Sequence, residues 1–243
     1  MVNAFITVRS KSTRLPRKCF LPFGSQTVLE HVIQRTLHNR IRPIICTTNN
    51  NEDKDIVGLA KKFNVDYFCG SEINKLKRWN DCCSHFGISS FHTIDADDPF
   101  FCADEVKRSY AFLTKGFDMI TPSPSSSNGG ATVGYSLTSE IIKRACKKID
   151  EHTDTEMMWS FLEKIEGIKI HKLDDPKDYI IKERMTLDYQ EDYIKLLEVL
   201  KLVGPLATRG EVSDCLHQNP QLNDINSSRN EEWKKNQDDK SLK

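Results

Sequence analysis

Five cationic side chains crowd into ten residues near the start of the sequence. The stretch RSKSTRLPRK spans residues 9–18, directly after the apolar run AFITV, and it contains Arg9, Arg14 and Lys18 as well as the hydroxyl of Ser12. Cationic side chains, hydroxyls and backbone N–H groups bind phosphate oxygens in proteins. The stretch therefore predicts a polyphosphate site, and its lack of glycine distinguishes it from a Walker A loop. A solvated basic turn is the alternative.

Carboxylates form two further groups. Asp95, Asp97 and Asp98 lie within four residues and precede Pro99, and Asp188 stands in the segment TLDYQED. Such oxygen ligands suit Mg²⁺, which commonly takes one or two carboxylates together with phosphate oxygens. Each group also has a structural explanation, because Asp favours turns and is a common cap at the start of a helix.

The first 120 residues alternate between apolar, β-branched runs and helical patterns. Strands are predicted at 4–8, 43–48, 65–68, 91–94 and 117–120, and helices near 27–38, 52–63, 73–86 and 103–114. This order predicts an α/β fold with a Rossmann-like, mostly parallel sheet flanked by helices. Ligands of such sheets bind at the carboxyl ends of the strands, which is where Arg9 and Asp95–Asp98 fall.

The second half of the sequence is less regular. A Pro-, Ser- and Gly-rich loop at 122–130 precedes predicted helices near 139–149 and 155–165, an apolar run at 168–173 and a helix at about 190–202. These segments are expected to complete a single domain over residues 1–203.

The chain beyond residue 203 is predicted to be a C-terminal extension of this domain. It is polar and ends in charges of both signs, which is typical of a frayed terminus. Leu216, Leu222 and Trp233 nevertheless need apolar surface to pack against. We therefore expect part of the segment 204–243 to dock onto the domain.

Composition restricts the classes of function. The 243 residues are 38% hydrophobic, enough for a full core, and 35 Lys plus Arg balance 35 Asp plus Glu. A neutral chain offers no general attraction to nucleic acid or to an anionic membrane. The eight cysteines include no CxxC pair, and the N-terminal apolar run is too short for a signal peptide or a membrane span. These features predict a cytoplasmic protein without a nucleic-acid or membrane partner.

The basic loop, the Asp95–Asp98 cluster and Asp188 together indicate one site. A cationic loop and two carboxylate sites, all at carboxyl ends of strands, describe a site for a magnesium-bound triphosphate. The motifs then resemble those of the cytidylyltransferases that make CMP-sugars, whose first strand runs into A-R-x-x-S-x-R-L-P-x-K. Here the chain reads VRSKSTRLPRK, with Val8 in place of alanine, and LPFGSQTVLEHVIQR resembles the helix that follows in that family. The resemblance extends from residue 3 to about 203.

Two further motifs resemble the metal-binding elements of that family. IDADDPF matches the element whose aspartate binds magnesium, which maps to Asp97, and MTLDYQEDYIKL matches the element of the second carboxylate, which maps to Asp188. The most similar branch is the spore-coat polysaccharide type, related to the CMP-Kdo and acylneuraminate enzymes. The resemblance therefore implies a fold of the nucleotide-diphospho-sugar transferase type and Mg²⁺ as the cofactor.

The resemblance also implies an activity. CMP would pass from CTP to an acidic sugar or sugar-like acceptor with release of pyrophosphate, in surface polysaccharide or glycan biosynthesis, and the protein would be a homodimer. The region of about 122–173 is implied to serve dimerisation and acceptor recognition within the nucleotidyltransferase domain.

Individual roles follow from the same resemblance. The implied nucleotide-binding residues are Val8, Arg9, Ser12, Arg14, Lys18 and Arg78; the catalytic residues are Arg9, Lys18 and Asp97; the metal ligands are Asp97 and Asp188. Arg78 also fits an ordinary arginine on the surface of a helix.

A metal-dependent glycosyltransferase of the GT-A type is the alternative enzyme class. Such enzymes have a related sheet and hold a metal-bound diphosphate with a D-x-D motif at a strand end, a form that Asp95-Ala96-Asp97 matches. They do not need a basic run after the first strand, whereas an enzyme that binds a free triphosphate does. Residues 9–18 therefore favour the nucleotidyltransferase.

Overall fold

A seven-stranded sheet with helices on both faces forms the centre of the protein. In the computed structural model, residues 1–233 and 235 are described. The strands are β1 (Asn3–Thr7), β2 (Pro22–Phe23), β3 (Gln26–Thr27), β4 (Arg42–Thr48), β5 (Asp66–Gly70), β6 (Ser90–Asp95), β7 (Met119–Thr121), β8 (Ser136–Thr138) and β9 (Ile170–Lys172). The helices are α1 (Val28–His38), α2 (Lys54–Lys62), α3 (Lys75–Phe86), α4 (Ala103–Leu113), α5 (Ser139–Cys146), α6 (Trp159–Leu162), α7 (Gln190–Val203), α8 (Arg209–Gln218) and α9 (Gln221–Asp224). Within the described residues, none of these helices has the length and apolar character that crossing a membrane requires.

The strands follow the order β5-β4-β1-β6-β8-β7-β9, and β2 pairs with β3 in a separate hairpin. The first four are parallel to their neighbours, β8 runs antiparallel to β6 and β7, and β9 is again parallel to β7. The predicted mostly parallel sheet is therefore confirmed. The sequence did not predict β8, because three residues are too few to show an alternating pattern.

β1 is buried on both faces of the sheet. Side chains alternate along a strand, so Phe5 lies on one face and stacks on Phe91 with ring centroids 4.0 Å apart. Ile6 lies on the other face, in a core with Leu29 of α1 and Val106 of α4. Residues of α3 and α5 belong to the first core, and residues of α1, α2 and α4 to the second. This packing fixes the carboxyl end of β1, where the basic loop begins.

The chain changes direction across the sheet between β1 and β6. After β1 it moves outward to β4 and β5, and then returns to β6 on the opposite side of β1. Such a switch point leaves a crevice at the carboxyl ends of the strands. Thr7 pairs with Asp95 in the register of the two strands, and the Ala96 amide donates to the Thr7 carbonyl oxygen at 3.3 Å. The register therefore places the basic loop beside Asp95–Asp98.

The C-terminal helices pack against α7 and the basic loop. A third core contains Leu15 of the loop, Leu196 of α7, and Leu216 and Leu222 of the extension. Part of the extension thus docks onto the domain. Residues 234 and 236–243, which the sequence analysis assigned to the same extension, lie outside the described residues.

Several elements of the second half differ from the sequence-based expectation. The helix predicted near 155–165 is shortened to α6, and the helix near 139–149 ends at Cys146. The polar extension forms α8 and α9, and Thr208 begins α8 through a capping box with Glu211. These short elements depend on tertiary packing, and their periodic signal in the sequence is correspondingly weak.

Candidate active site

A cleft of about 890 Å³ opens at the carboxyl ends of β1 and β6. All the side chains that the sequence analysis assigned to nucleotide or metal line this cleft: Val8, Arg9, Ser12, Arg14, Lys18, Arg78, Asp97 and Asp188. Residues of the 122–134 loop also line it, together with Glu156 and Trp159 from the region implied to meet the acceptor. The structure thus brings the three predicted groups together, while the roles of individual residues remain predictions.

Buried hydrogen bonds fix the start of the basic loop. Asp53, which is 2% exposed, accepts from the amide of Ser10 at 2.8 Å and from its hydroxyl at 2.6 Å. It also accepts from the Thr48 hydroxyl at 2.5 Å. Further along, Leu15 packs in the third core, and Arg17 turns the chain with a φ of 52° in the left-handed region. These contacts hold the loop over the end of the sheet.

The ammonium of Lys18 joins the two predicted metal carboxylates. Its Nζ donates to Asp97 Oδ2 at 2.5 Å, to Asp188 Oδ1 at 2.9 Å and to the Leu187 carbonyl oxygen at 2.8 Å, which uses all three N–H groups. Arg14 Nη2 donates to the same Asp188 Oδ1 at 2.6 Å. The Leu187 amide donates to the Asp97 carbonyl oxygen at 2.8 Å, so the two carboxylate-bearing segments are also tied through their backbones.

Burial and pairing change the proton affinities of these groups. Burial alone would raise the pKa of Asp188, but Lys18 and Arg14 outweigh it and lower that pKa to about 2. Burial alone would lower the pKa of Lys18, whereas Asp97 and Asp188 hold it above its ordinary value. Lys18 therefore stays an ammonium and Asp188 a carboxylate throughout the neutral range.

Asp95, Asp97 and Asp98 form a compact set of oxygen donors. One carboxylate oxygen from each lies within 4.8 Å of the others. Loss of solvent around Asp98, and then the charges of Asp97 and Asp95, hold the pKa of Asp98 well above its ordinary value. Loss of solvent around its carboxyl group also raises the pKa of Asp95 to about 6, although the residue is exposed and Lys75 opposes the change. Oxygen donors that resist ionising together fit a hard divalent cation such as Mg²⁺.

Arg9 and Lys75 share the carboxylate of Glu156 within the cleft. Arg9 Nη2 lies 3.3 Å from Glu156 Oε2, and Lys75 Nζ lies 3.1 Å from Glu156 Oε1. Neither Glu156 nor Lys75 was assigned to the site from the sequence. Lys75 is the first residue of α3, the helix that follows β5, and this position could have predicted its place near the carboxyl edge of the sheet. The acidic run at 150–156 could have indicated Glu156.

Arg78 is not the helix-surface arginine that its place in α3 allowed. It is 3% exposed, and its Nη1 donates to the Ser71 carbonyl oxygen at 2.6 Å. A Cβ on Gly70 would lie 2.9 Å from Cγ of Arg78, so the glycine makes room for the inward side chain. This position at the wall of the cleft is compatible with the predicted contact to a nucleotide.

Aromatic side chains that were not assigned to the site from the sequence form further parts of the wall. Tyr135 stacks on Trp159 with ring centroids 6.2 Å apart, and Trp233 reaches the cleft from the extension. A Cβ on Gly134 would lie 2.2 Å from the Thr93 carbonyl oxygen, so only glycine permits the close approach that places Tyr135. No local spacing in the sequence links these three aromatic residues.

Comparison with known proteins points to one family. The sequence model of a family described as cytidylyltransferase matches residues 4–125. An uncharacterized protein of Methanocaldococcus jannaschii is 27% identical over 237 residues, which are 93% of this chain and 95% of that protein. A cytidylyltransferase from Leptospira borgpetersenii serovar Hardjo-bovis has a similar structure, with a TM-score of 0.78 and 21% identity over 91% of this chain and 96% of that chain. CMP:2-keto-3-deoxy-manno-octonic acid synthetase complexed with CTP has a TM-score of 0.63 and 12% identity over 83% of this chain and 99% of its own. At these identities the two structures show a shared fold.

Replacing Lys18 with methionine is expected to destabilise the protein in a pH-dependent way. The pKa of Asp188 is about 2 in the folded protein and about 3.9 in an unfolded chain, so its pairing stabilises the fold above about pH 4 and is lost as the pH falls through 2. Lys18→Met should lower the free energy of unfolding by on the order of 2 kcal/mol at pH 7, and by about half as much at pH 3. Urea unfolding at both pH values measures the difference.

Lys62→Met is the matched control for this experiment. Lys62 forms an ion pair with Glu30, but 65% of the Lys62 side chain is exposed. Such surface pairs contribute about 0–1 kcal/mol. A Lys18→Met protein that is as stable as the Lys62→Met protein at pH 7 would contradict the importance of the shared ammonium.

Proposed function

Because the chain belongs to the cytidylyltransferase family, we propose that it transfers CMP from CTP to an acidic sugar or sugar-like acceptor with release of pyrophosphate. The observation that carries the proposal is the meeting of the basic loop with Asp97 and Asp188 through Lys18. The similar fold of a CMP:2-keto-3-deoxy-manno-octonic acid synthetase, whose name contains a sugar acid, supports an acidic acceptor. A role in the synthesis of a surface polysaccharide or glycan would follow.

The basic loop supplies donors for the triphosphate of CTP. Arg9, Arg14 and Lys18 bring three positive charges into the cleft, and Ser12 adds a hydroxyl. The acceptor oxygen forms a bond to the α-phosphorus while the bond from that phosphorus to the bridging oxygen of pyrophosphate breaks. Negative charge then builds on the leaving pyrophosphate, and the fixed cations of the loop stabilise it.

Asp97 and Asp188 are the residues that would hold Mg²⁺, and Asp95 and Asp98 lie beside Asp97. When bound, the ion would offset phosphate charge and lower the pKa of the attacking acceptor oxygen. The Lys18 ammonium donates hydrogen bonds to both carboxylates, and the phosphate oxygens of a bound triphosphate would be a second set of acceptors for it. Lys18 can therefore exchange carboxylate contacts for phosphate contacts as the nucleotide enters.

The acceptor is assigned to the part of the cleft lined by the 122–134 loop and by Glu156 and Trp159. Lys75 lies 3.1 Å from Glu156 in this part of the site, so a cationic side chain is present for an acidic acceptor. The homodimer and the cytoplasmic location expected from the sequence belong to the same proposal.

Nucleotide specificity tests the proposed function first. A ligand that binds only the native state raises the melting temperature, so CTP with Mg²⁺ should raise it more than ATP, GTP or UTP with Mg²⁺ do. The measurement is a thermal-shift titration with each nucleoside triphosphate in turn. Equal shifts with all four nucleotides, or no shift with CTP, would contradict a cytidylyltransferase.

Asp97→Asn is expected to reduce turnover by roughly 100- to 1,000-fold while leaving the fold intact, because it removes one charge from a preorganised electrostatic site. Pyrophosphate release from CTP measures turnover, with 2-keto-3-deoxy-manno-octonic acid and related sugar acids as acceptors. Asp104→Asn in α4 is the control, since 92% of the Asp104 side chain is exposed. Near-normal pyrophosphate release by the Asp97→Asn protein would remove Asp97 from the reaction.

A further inference from the structure

Arg184 is a buried cation next to the candidate active site, outside the set found by sequence analysis. Its side chain has no exposed surface, and its guanidinium donates to both carboxylate oxygens of Asp192, from Nε at 2.8 Å and from Nη2 at 2.9 Å. Nη2 also donates to Asp188 Oδ2 at 3.4 Å. Arg184 therefore meets one oxygen of Asp188 while Lys18 and Arg14 meet the other.

Asp192 fixes the backbone that carries Asp188. Its Oδ2 accepts from the amide of Asp188 at 2.9 Å and from the amide of Tyr189 at 3.0 Å, at the start of α7. Asp192 is fully buried, so these charge-assisted hydrogen bonds are shielded from water. The Arg184–Asp192 pair thus orients both the main chain and the side chain of Asp188.

The C-terminal extension completes the hydrogen bonds of this pair. Asn226 Nδ2 donates to Asp192 Oδ1 at 2.9 Å and to the Arg184 carbonyl oxygen at 3.2 Å. The buried ammonium of Lys195 donates to the same carbonyl oxygen at 3.0 Å, to Asn226 Oδ1 at 3.3 Å and to Asn223 Oδ1 at 2.9 Å. Loss of the Asn226 amide would leave buried polar atoms short of partners, which is costlier than losing an exposed hydrogen bond.

Trp233 covers the guanidinium of Arg184 and lines the cleft at the same time. The guanidinium carbon lies 5.1 Å from the centroid of the Trp233 ring and 5.4 Å from that of Tyr189. The Nη1 group of Arg184 has no hydrogen-bond partner among the described residues, and the two aromatic rings offer it electrostatic compensation. Through Trp233 the extension therefore both lines the cleft and contacts Arg184, the residue that pairs with Asp188.

We propose that the C-terminal extension is a working part of the active site, in which Asn226 and Trp233 are positioning residues that act through Arg184 to orient Asp188. The inference rests on the proposed function, since Asp188 serves there as a ligand of the metal bound to CTP. Neither positioning residue has to touch the nucleotide. Their effect is on the direction of a carboxylate, and removing such an outer partner of a metal ligand lowers metal affinity or activity roughly 10- to 100-fold.

Calorimetric titration of the full-length protein with CTP, with Mn²⁺ in one arm and with EDTA in the other, tests this role. Asn226→Leu and Trp233→Ala are expected to weaken binding of Mn²⁺–CTP roughly 10- to 100-fold. Trp233→Phe keeps an aromatic face over Arg184 and should stay within about threefold of the unchanged protein. In EDTA these substitutions should weaken CTP binding much less than they do with Mn²⁺, because the basic loop is untouched, whereas general loosening of the site would lower the affinity equally in both arms.

Glu231→Gln is the matched control, because Glu231 is an exposed residue of the same segment. It should bind Mn²⁺–CTP as the unchanged protein does.

If Asn226→Leu and Trp233→Ala also bind Mn²⁺–CTP with unchanged affinity, or lose affinity equally in both arms, the positioning role is overturned and the proposed function stands. If the unchanged protein does not bind Mn²⁺–CTP, the proposed function is overturned and the positioning role falls with it. Trp233 is only partly buried, so Trp233→Ala keeps the test decisive should Asn226→Leu fail to fold.

Discussion

The sharing of one ammonium by two carboxylates is the interaction on which the rest of the site depends. Asp97 and Asp188 lie 79 and 170 positions after Lys18 in the chain, yet all three meet at one Nζ. Two carboxylates this close repel each other in a partly dry cleft unless a cation lies between them. The same arrangement suits a metal-bound triphosphate, which needs positive charge for its phosphate oxygens beside negative charge for its metal. Such a site is paired internally without a ligand, and in the proposed function it would receive the triphosphate by exchanging these partners.

The fold meets this requirement through a few constraints on the backbone. β1 is buried on both sides, so the start of the basic loop cannot shift, and the parallel register of β1 with β6 sets Thr7 against Asp95. The hydrogen bond between the Leu187 amide and the Asp97 carbonyl oxygen then brings the third segment alongside. The segments after residue 203 complete the arrangement, because Leu216 and Leu222 share an apolar core with Leu15 of the loop and Asn226 donates a hydrogen bond to Asp192 at the start of α7.

Local sequence features account for much of this architecture and for the charged residues at its centre. Alternating strands, helical faces and a dense basic run are all visible within short windows, and motif order linked Asp97 and Asp188 to the same ligand. The atoms that Lys18 contacts could not be predicted from the sequence, because these contacts depend on packing between segments far apart in the chain. Arg184 was missed for that reason, and Trp233 was expected to pack but was not placed at the site, since its contact with Arg184 forms only when the extension folds back onto α7. Arg78 was ambiguous because a helical pattern does not reveal that Gly70 leaves room for an inward arginine.

A crystal structure of the protein with CTP and Mn²⁺, in which anomalous scattering locates the metal, tests the central claim most directly. We expect a metal peak in contact with the carboxylates of Asp97 and Asp188, and Lys18 Nζ within hydrogen-bond distance of a phosphate oxygen. A triphosphate bound away from Lys18, with the ammonium still divided between the two aspartates and no metal beside them, would contradict the account.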